Sequence, residues 1–205
     1  QIIGGTKNVR VDRVRQLAPD LVIANKEENV REQVEAIAAF APVWVTDVAD
    51  VDGALAMIRD VGAATGRWPA ADQLAQDIGD DFDTLSEAPL LRALYLIWRD
   101  PWMTVGDDTI IADVLRRGGF TNAAEGRTRY PSLSDDEFAA LAPDVVLLSS
   151  EPYPFQDKHL DEVQALVPGV PVLLVDGEPF SWYGPRLAHA PAALRDIRQR
   201  LASRG

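Results

Sequence analysis

The hexapeptide Leu17-Ala18-Pro19-Asp20-Leu21-Val22 returns almost unchanged as Leu141-Ala142-Pro143-Asp144-Val145-Val146. Each copy reads the same way: a helix ends at the residue before proline, an Asp follows, and an apolar run begins. A second match follows in the same order, Ala41–Asp47 (APVWVTD) against Val170–Asp176 (VPVLLVD). The offset is 124 residues at the first match and 129 at the second, so the second copy carries the longer loop. A repeated strand, loop, helix and strand predicts an α/β protein of two similar lobes with mainly parallel sheets.

Between the copies the pattern is helical. Val51–Thr65 places Leu55, Ile58, Val61 and Gly62 on one side, and Ala70–Leu85 does the same with Leu74, Ile78, Phe82 and Leu85. Gly66–Pro69 interrupts them, and no strand-like run does. The stretch predicts one long, kinked connecting helix. The expected organisation is an N-terminal lobe over 1–50, a helical connector over 51–88 and a C-terminal lobe over 89–205. A strand, loop and helix, Ala93–Ser132, precede the second copy but not the first. By analogy, roughly 40 residues of lobe one would lie upstream of Gln1, and the N-terminal lobe is read as incomplete.

Five short apolar runs read as strands: Leu21–Ala24, Pro42–Val45, Leu94–Ile97, Val145–Leu148 and Val170–Val175, the first of them as a strand covered on both faces. Helical spacing marks Val9–Leu17, Val30–Phe40, Thr109–Arg117, Asp157–Val167 and Tyr183–Leu201. Ser134 and Glu137 stand at capping-box spacing before a helix that runs to Leu141. Trp98–Gly106 and Phe120–Pro131 read as loops.

Composition narrows the function classes. The 205 residues carry a net charge of −12, which repels phosphate backbones and argues against nucleic-acid binding. No apolar run reaches membrane-spanning length. Cysteine is absent, so no disulfide framework or thiolate metal site is expected. The two histidines, His159 and His189, are far apart and read as surface residues, so no metal site is expected. No Gly-rich phosphate loop and no nucleophile elbow is present. The acid pairs Asp107/Asp108 and Glu27/Glu28 read as solvated surface. The chain offers no evident nucleophile or base, which favours binding over catalysis and implies no catalytic cofactor.

The aromatics cluster. Parallel α/β sheets bind ligands beyond the carboxyl ends of their strands. The loops after the five predicted strands hold Trp98, Trp102, Tyr153, Phe155, Phe180, Trp182 and Tyr183, seven of the fifteen Trp, Tyr and Phe residues. The excess predicts an aromatic-lined cleft for a large, partly apolar or planar ligand. Trp98 and Phe155 are the two of this set expected to pack beneath the loops, and Trp44 and Tyr95 are expected in the core.

GGTKN, LAPDLVIANKEENVREQVEAI, PVWVTD, LYLIWRDPWMTVG, LAPDVVLLSSEPYPF and DGEPFSWYGPR together resemble the cobalamin-binding branch of the class III substrate-binding proteins of ABC importers, the helical-backbone metal receptors. The resemblance covers essentially the whole chain and implies two α/β lobes bridged by a long helix, with ligand between them. It implies cobalamin or a related corrinoid as ligand, with haem and ferric siderophores as neighbouring alternatives. Ligand contacts would fall on Thr6, Lys7, Asn25, Trp102, Met103, Tyr130, Tyr153, Glu178, Phe180, Trp182 and Tyr183. Trp102 and Trp182 would lie against the ring edges, and Glu178 and Asn25 would meet a corrin's amide fringe. The implied partner is an ABC permease dimer, docked through exposed acids: Glu32 on lobe one, and Glu151 or Glu178 on lobe two. The implied location is periplasmic or at the cell surface, with room for a lipid anchor upstream of Gln1. The alternative is a cytoplasmic protein that handles corrinoids or metal chelates.

Overall fold

A computed structural model describes residues 1–85 and 90–203 of the chain. It divides into two compact units, Gln1–Asp47 and Val48–Gly205.

The first unit opens with a minimal antiparallel hairpin, β1 (Gly4–Gly5) and β2 (Asn8–Val9). Helix α1 (Val11–Leu17) follows, then β3 (Val22–Asn25), α2 (Arg31–Ala38) and β4 (Val43–Thr46). Strands β3 and β4 pair in parallel, Val22 opposite Val43 and Asn25 opposite Thr46. The core is small: Val14 of α1, Ile37 of α2 and Ala41 are buried, with Val22 and Val43 packed against them. An apolar hollow of about 260 Å³ runs between Val14, Leu17, Val22, Val34 and Ile37.

In the second unit the connector expected over 51–88 is two helices, α3 (Val51–Ala64) and α4 (Trp68–Asp83). Gly66 takes a left-handed φ of 68° between them, and Pro69 sits in the first turn of α4. They pack so closely that a Cβ on Gly62 would stand 2.2 Å from that of Ala71. The expected boundary between connector and C-terminal lobe falls in residues 86–89, outside the described residues.

The remaining elements are β5 (Leu91–Trp98), β6 (Trp102–Thr104), α5 (Ile110–Arg117), β7 (Phe120–Asn122), β8 (Ser132–Leu133) and α6 (Asp135–Ala140). They continue with β9 (Val145–Ser149), α7 (Asp157–Leu166), β10 (Val172–Val175), α8 (Glu178–Ser181), a 3₁₀ turn (Pro185–His189) and α9 (Ala190–Ala202). The sheet order is β10-β9-β5-β6-β8, with β7 also on β5. Strands β5, β7, β9 and β10 run parallel, and β6 is antiparallel to β5.

Alternate residues of the parallel strands feed two cores. Ala93, Tyr95, Ile97, Val145, Leu147, Leu173 and Val175 pack with side chains from α3, α4, α5 and α9. Leu94, Leu96, Val146, Leu148 and Val172 face the other way, onto Phe138 of α6 and Val163 of α7. Burial on both faces explains why these strands read as unbroken apolar runs; each such side chain contributes about 1.5–3 kcal/mol.

Strand β3, expected to be covered on both faces, leaves Ile23 44% exposed. Three further sequence expectations change. The stretch expected as a loop over 98–106 folds back as β6, because Asp100-Pro101 turns the chain and Trp102 and Thr104 can then be buried beside β5. The stretch over 120–131 contains β7, whose Phe120 is fully buried. The closing helix begins at Ala190 rather than Tyr183, since Pro185 and Pro191 each suit the start of a helical turn and not its interior. No helix among the described residues is long and apolar enough to cross a membrane.

Candidate functional site

Parallel pairing brings the carboxyl ends of β5, β9 and β10 to one edge of the second unit. Three connections leave from it: the turn after Trp98, the loop 150–156 and the segment 176–184. This is the position where an open α/β sheet presents a ligand surface.

The edge is held by the buried hydroxyls of Tyr95 and Ser149, the hydroxyl of exposed Ser150 and one glycine. Tyr95 donates its phenol proton to Ser149 Oγ at 3.0 Å. Burial pushes the Tyr95 phenol pKa up, so it remains a neutral donor. Ser149 Oγ in turn donates to the Glu151 carbonyl at 2.7 Å. The Gly177 amide donates to Ser150 Oγ at 3.0 Å, joining the loops after β9 and β10. A Cβ on Gly177 would stand 2.2 Å from Ser149 Oγ and 2.9 Å from the Glu151 amide nitrogen, so only glycine lets these backbones approach.

Upon this base sits an aromatic rim. Trp182 is 52% exposed and Trp98 is 40% exposed. Tyr153 meets Trp98 edge-on, with centroids 5.6 Å apart, and its hydroxyl lies 3.2 Å from His159 Nε2. Tyr183 is half-buried against the first core. Glu178 opens α8 and pairs with Arg186 at 3.1 Å. Met103 and Tyr130 are half-buried on the same core, with the Arg129 guanidinium 5.7 Å from the Tyr130 ring centroid. Glu151, expected to dock a permease, is half-buried in the loop after β9.

Two expected ligand contacts are core residues. Trp102 is only 5% exposed. It stacks parallel to Phe155 at 6.2 Å, meets Phe138 edge-on at 5.5 Å, lies under the Arg99 guanidinium and donates Nε1–H to Asp135 at 3.1 Å. These contacts engage the ring and its N–H within the protein. Phe180 is fully buried and packs on Tyr95 at 5.5 Å. Trp98, expected beneath the loops, instead stands in solvent at the end of β5, whereas Phe155 is buried as expected. Strand alternation gives no signal for this, since Trp98 shares the face of Leu94 and Leu96, which pack in the second core; it is exposed at the last residue of β5.

His159, read as a surface residue, is 5% exposed. Among the described residues no group of three or more His, Cys, Asp and Glu could hold a metal ion.

In the first unit, Thr6, Lys7 and Asn25 are brought to one corner. The Asn25 carboxamide oxygen accepts the amides of Glu27 and Glu28 at 2.9 and 3.0 Å, folding the loop after β3. Thr6 donates to Glu28 at 3.3 Å, its carbonyl accepts from Asn29 at 3.0 Å, and the Lys7 ammonium donates to the Glu27 carbonyl. Glu32 is exposed in the first turn of α2.

A family model described as "Periplasmic binding protein" matches residues 2–170. The chain is 23% identical over 195 residues to a "Vitamin B12-binding protein" of Pectobacterium carotovorum, covering 90% of this chain and 69% of that one. It is 28% identical over 156 residues to the "Uncharacterized ABC transporter substrate-binding lipoprotein YvrC" of Bacillus subtilis, covering 70% of this chain and about half, 49%, of that one. Among solved structures it superposes on "Periplasmic heme-binding protein BhuT in complex with two hemes" with a TM-score of 0.76 and 24% identity, covering 98% of this chain and 81% of that one. That last likeness carries the fold.

Proposed function

The chain belongs to the periplasmic binding protein family, and from that premise we propose that it is the substrate-capturing component of an ABC importer, with cobalamin or a related corrinoid as its ligand. The observation that carries the reading is the carboxyl edge of the second unit: two solvent-standing indoles, Trp98 and Trp182, on loops pinned to a rigid parallel sheet. Large, rigid, apolar planes with a polar tip suit a macrocycle, because they bury much area at little conformational cost. Glu178 and Arg186 beside Trp182 supply polar groups for a corrin's amide side chains. The Thr6, Lys7 and Asn25 corner of the first unit is polar in the same way. The B12-binding relative named above supports the corrinoid, and the heme-binding structural neighbour supports the wider tetrapyrrole class. Capture requires no chemistry, and we read the protein as a carrier rather than an enzyme. Delivery would pass to a permease dimer through the exposed acid Glu32 and the edge acid Glu151, with the protein working in the periplasm or at the cell surface.

Titration with cyanocobalamin and, separately, hemin tests this by tryptophan fluorescence and by calorimetry. Saturable one-site binding of cyanocobalamin is expected. Binding of hemin alone replaces the corrinoid with heme, and heat and fluorescence unmoved by either ligand overturn the reading.

A further inference from the structure

His159 is a buried titratable group that the reading above does not use. It is the third residue of α7, 5% exposed, and its ring lies edge-on to Tyr153 at 5.5 Å and Phe155 at 5.3 Å. Its Nδ1 accepts the backbone N–H of Gln156 at 2.9 Å. The ring therefore performs the reach-back that Glu or Gln ordinarily makes at this helical position. The Gln156 carbonyl lies farther from the same nitrogen, at 3.2 Å. With the Nδ1 lone pair engaged, the proton of the neutral ring sits on Nε2, which faces the Tyr153 hydroxyl at 3.2 Å. The phenol oxygen is then an acceptor toward His159. One imidazole thus ties the helix start and the Tyr153 side chain together.

The tie matters because of what Tyr153 touches. Its ring supports the exposed Trp98 edge-on at 5.6 Å, and its amide donates to the Ile97 carbonyl at 3.3 Å. The contact chain runs from α7 through His159 and Tyr153 to Trp98. Arg99, next in sequence to Trp98, reaches back to the same helix, donating Nε–H to Glu162 at 3.0 Å. Trp98, through Tyr153, and Arg99 next to it are thereby both tied to α7.

We propose that His159, as its Nε2–H tautomer, is the positioning residue that sets Tyr153 and, through it, the Trp98 indole for ligand contact. The proposal rests on the carrier reading above and extends it to a residue outside the rim. An exposed indole loses affinity when it wanders, since its ordering then has to be provided by the ligand.

The test uses three variants. His159→Gln keeps an acceptor for the Gln156 amide, and so the helix start, but shortens the reach to Tyr153. Tyr153→Phe deletes only the hydroxyl. The third is the double variant. Each single change is expected to weaken cyanocobalamin about three- to tenfold, the range of one hydrogen bond, with melting temperature little changed. The double variant is expected to be no weaker than either single one, since both break the same link. Without ligand, the Trp98 emission, obtained by difference against Trp98→Phe, is expected to shift to the red in both singles. Long-range proton–nitrogen spectra of the unliganded wild type are expected to show the proton on Nε2.

Additive affinity losses, an Nδ1–H ring, or an unmoved Trp98 spectrum overturns the proposal. If neither cyanocobalamin nor hemin binds the wild type, the carrier reading fails. The tautomer and the Trp98 spectrum still decide the positioning role.

Discussion

Ala18 and Ala142, 124 positions apart, both take a left-handed backbone, with φ of 45° and 43°. Each stands before a proline, which disfavours the helical option; Ala18 is the C-cap of α1, and Ala142 follows Leu141, the C-cap of α6. The correspondence continues atom by atom. Val22 donates to the Pro42 carbonyl at 2.9 Å, and Val146 donates to that of Pro171 at 2.9 Å. Lys26 donates to Thr46 at 3.0 Å, and Ser150 donates to Val175 at 3.0 Å. The sequence repeat is therefore a repeated structure: the same turn, the same ladder and the same exit from the strand.

Left-handed alanines are strained, at about 1–2 kcal/mol per residue, and glycine is not. Glycine returns roughly 0.5–1 kcal/mol of that through the freedom it adds to the unfolded chain. Ala18→Gly and Ala142→Gly are each expected to stabilise the chain by about 0.5–1 kcal/mol, read as a higher urea midpoint. A lower midpoint in both would show that the left-handed turn is not held in solution.

The α/β plan was legible because Ala-Pro-Asp marks the approach to a strand twice and because the buried parallel strands β5, β9 and β10 leave unbroken apolar runs; β3 and β4 read the same way although Ile23 and Val45 are exposed. The short strands β6, β7 and β8 were not, since two or three residues give no period to read. At the site, the loop aromatics gave no sign that Trp182 would be exposed while Trp102 and Phe180 are buried. Trp102 left the set because Asp100-Pro101 turns it into the second core, a long-range packing outcome with no local signal. His159 was illegible for the same reason: its partner Tyr153 lies outside its own helix.

Trp182 and Trp102 should respond oppositely. Trp182 is half in water, so Trp182→Ala is expected to change stability by under about 0.5 kcal/mol while weakening tetrapyrrole binding about tenfold or more. Trp102→Phe removes the Asp135 hydrogen bond and part of a stacked core. It is expected to cost about 1–3 kcal/mol and to leave affinity per folded molecule unchanged. Paired denaturation and titration of both variants checks the separation, and a reversed pattern would reassign the two indoles.

Gly177 tests the rigidity of the edge. Its φ of −83° is open to any residue, so an effect of Gly177→Ala must be steric. The new methyl would overlap Ser149 Oγ and the Glu151 amide, forcing the loops after β9 and β10 apart. Overpacking of this kind typically costs about 1–3 kcal/mol. Loss of stability together with weaker ligand binding is expected. Gly5→Ala in β1, where an added Cβ meets nothing within 4 Å, serves as the control.

Glu137 gives the chain a defined acid response. The Ser134 backbone N–H at 2.7 Å, the Arg127 guanidinium at 2.6 Å and the Ser134 hydroxyl at 3.0 Å hold its carboxyl pKa down to about 2, from an ordinary 4.5. A carboxylate whose folded pKa is depressed adds stability above its unfolded pKa and loses it as the pH falls through the folded one. The contribution should thus be complete above about pH 4.5 and disappear by about pH 2. Glu137→Gln keeps a side chain that can reach the Ser134 amide but cannot ionise. Urea midpoints measured across that window should fall more steeply for the wild type than for Glu137→Gln, and the two curves should converge at the acid end. Parallel curves throughout the window would mean that the carboxylate stands free of Ser134 and Arg127 in solution.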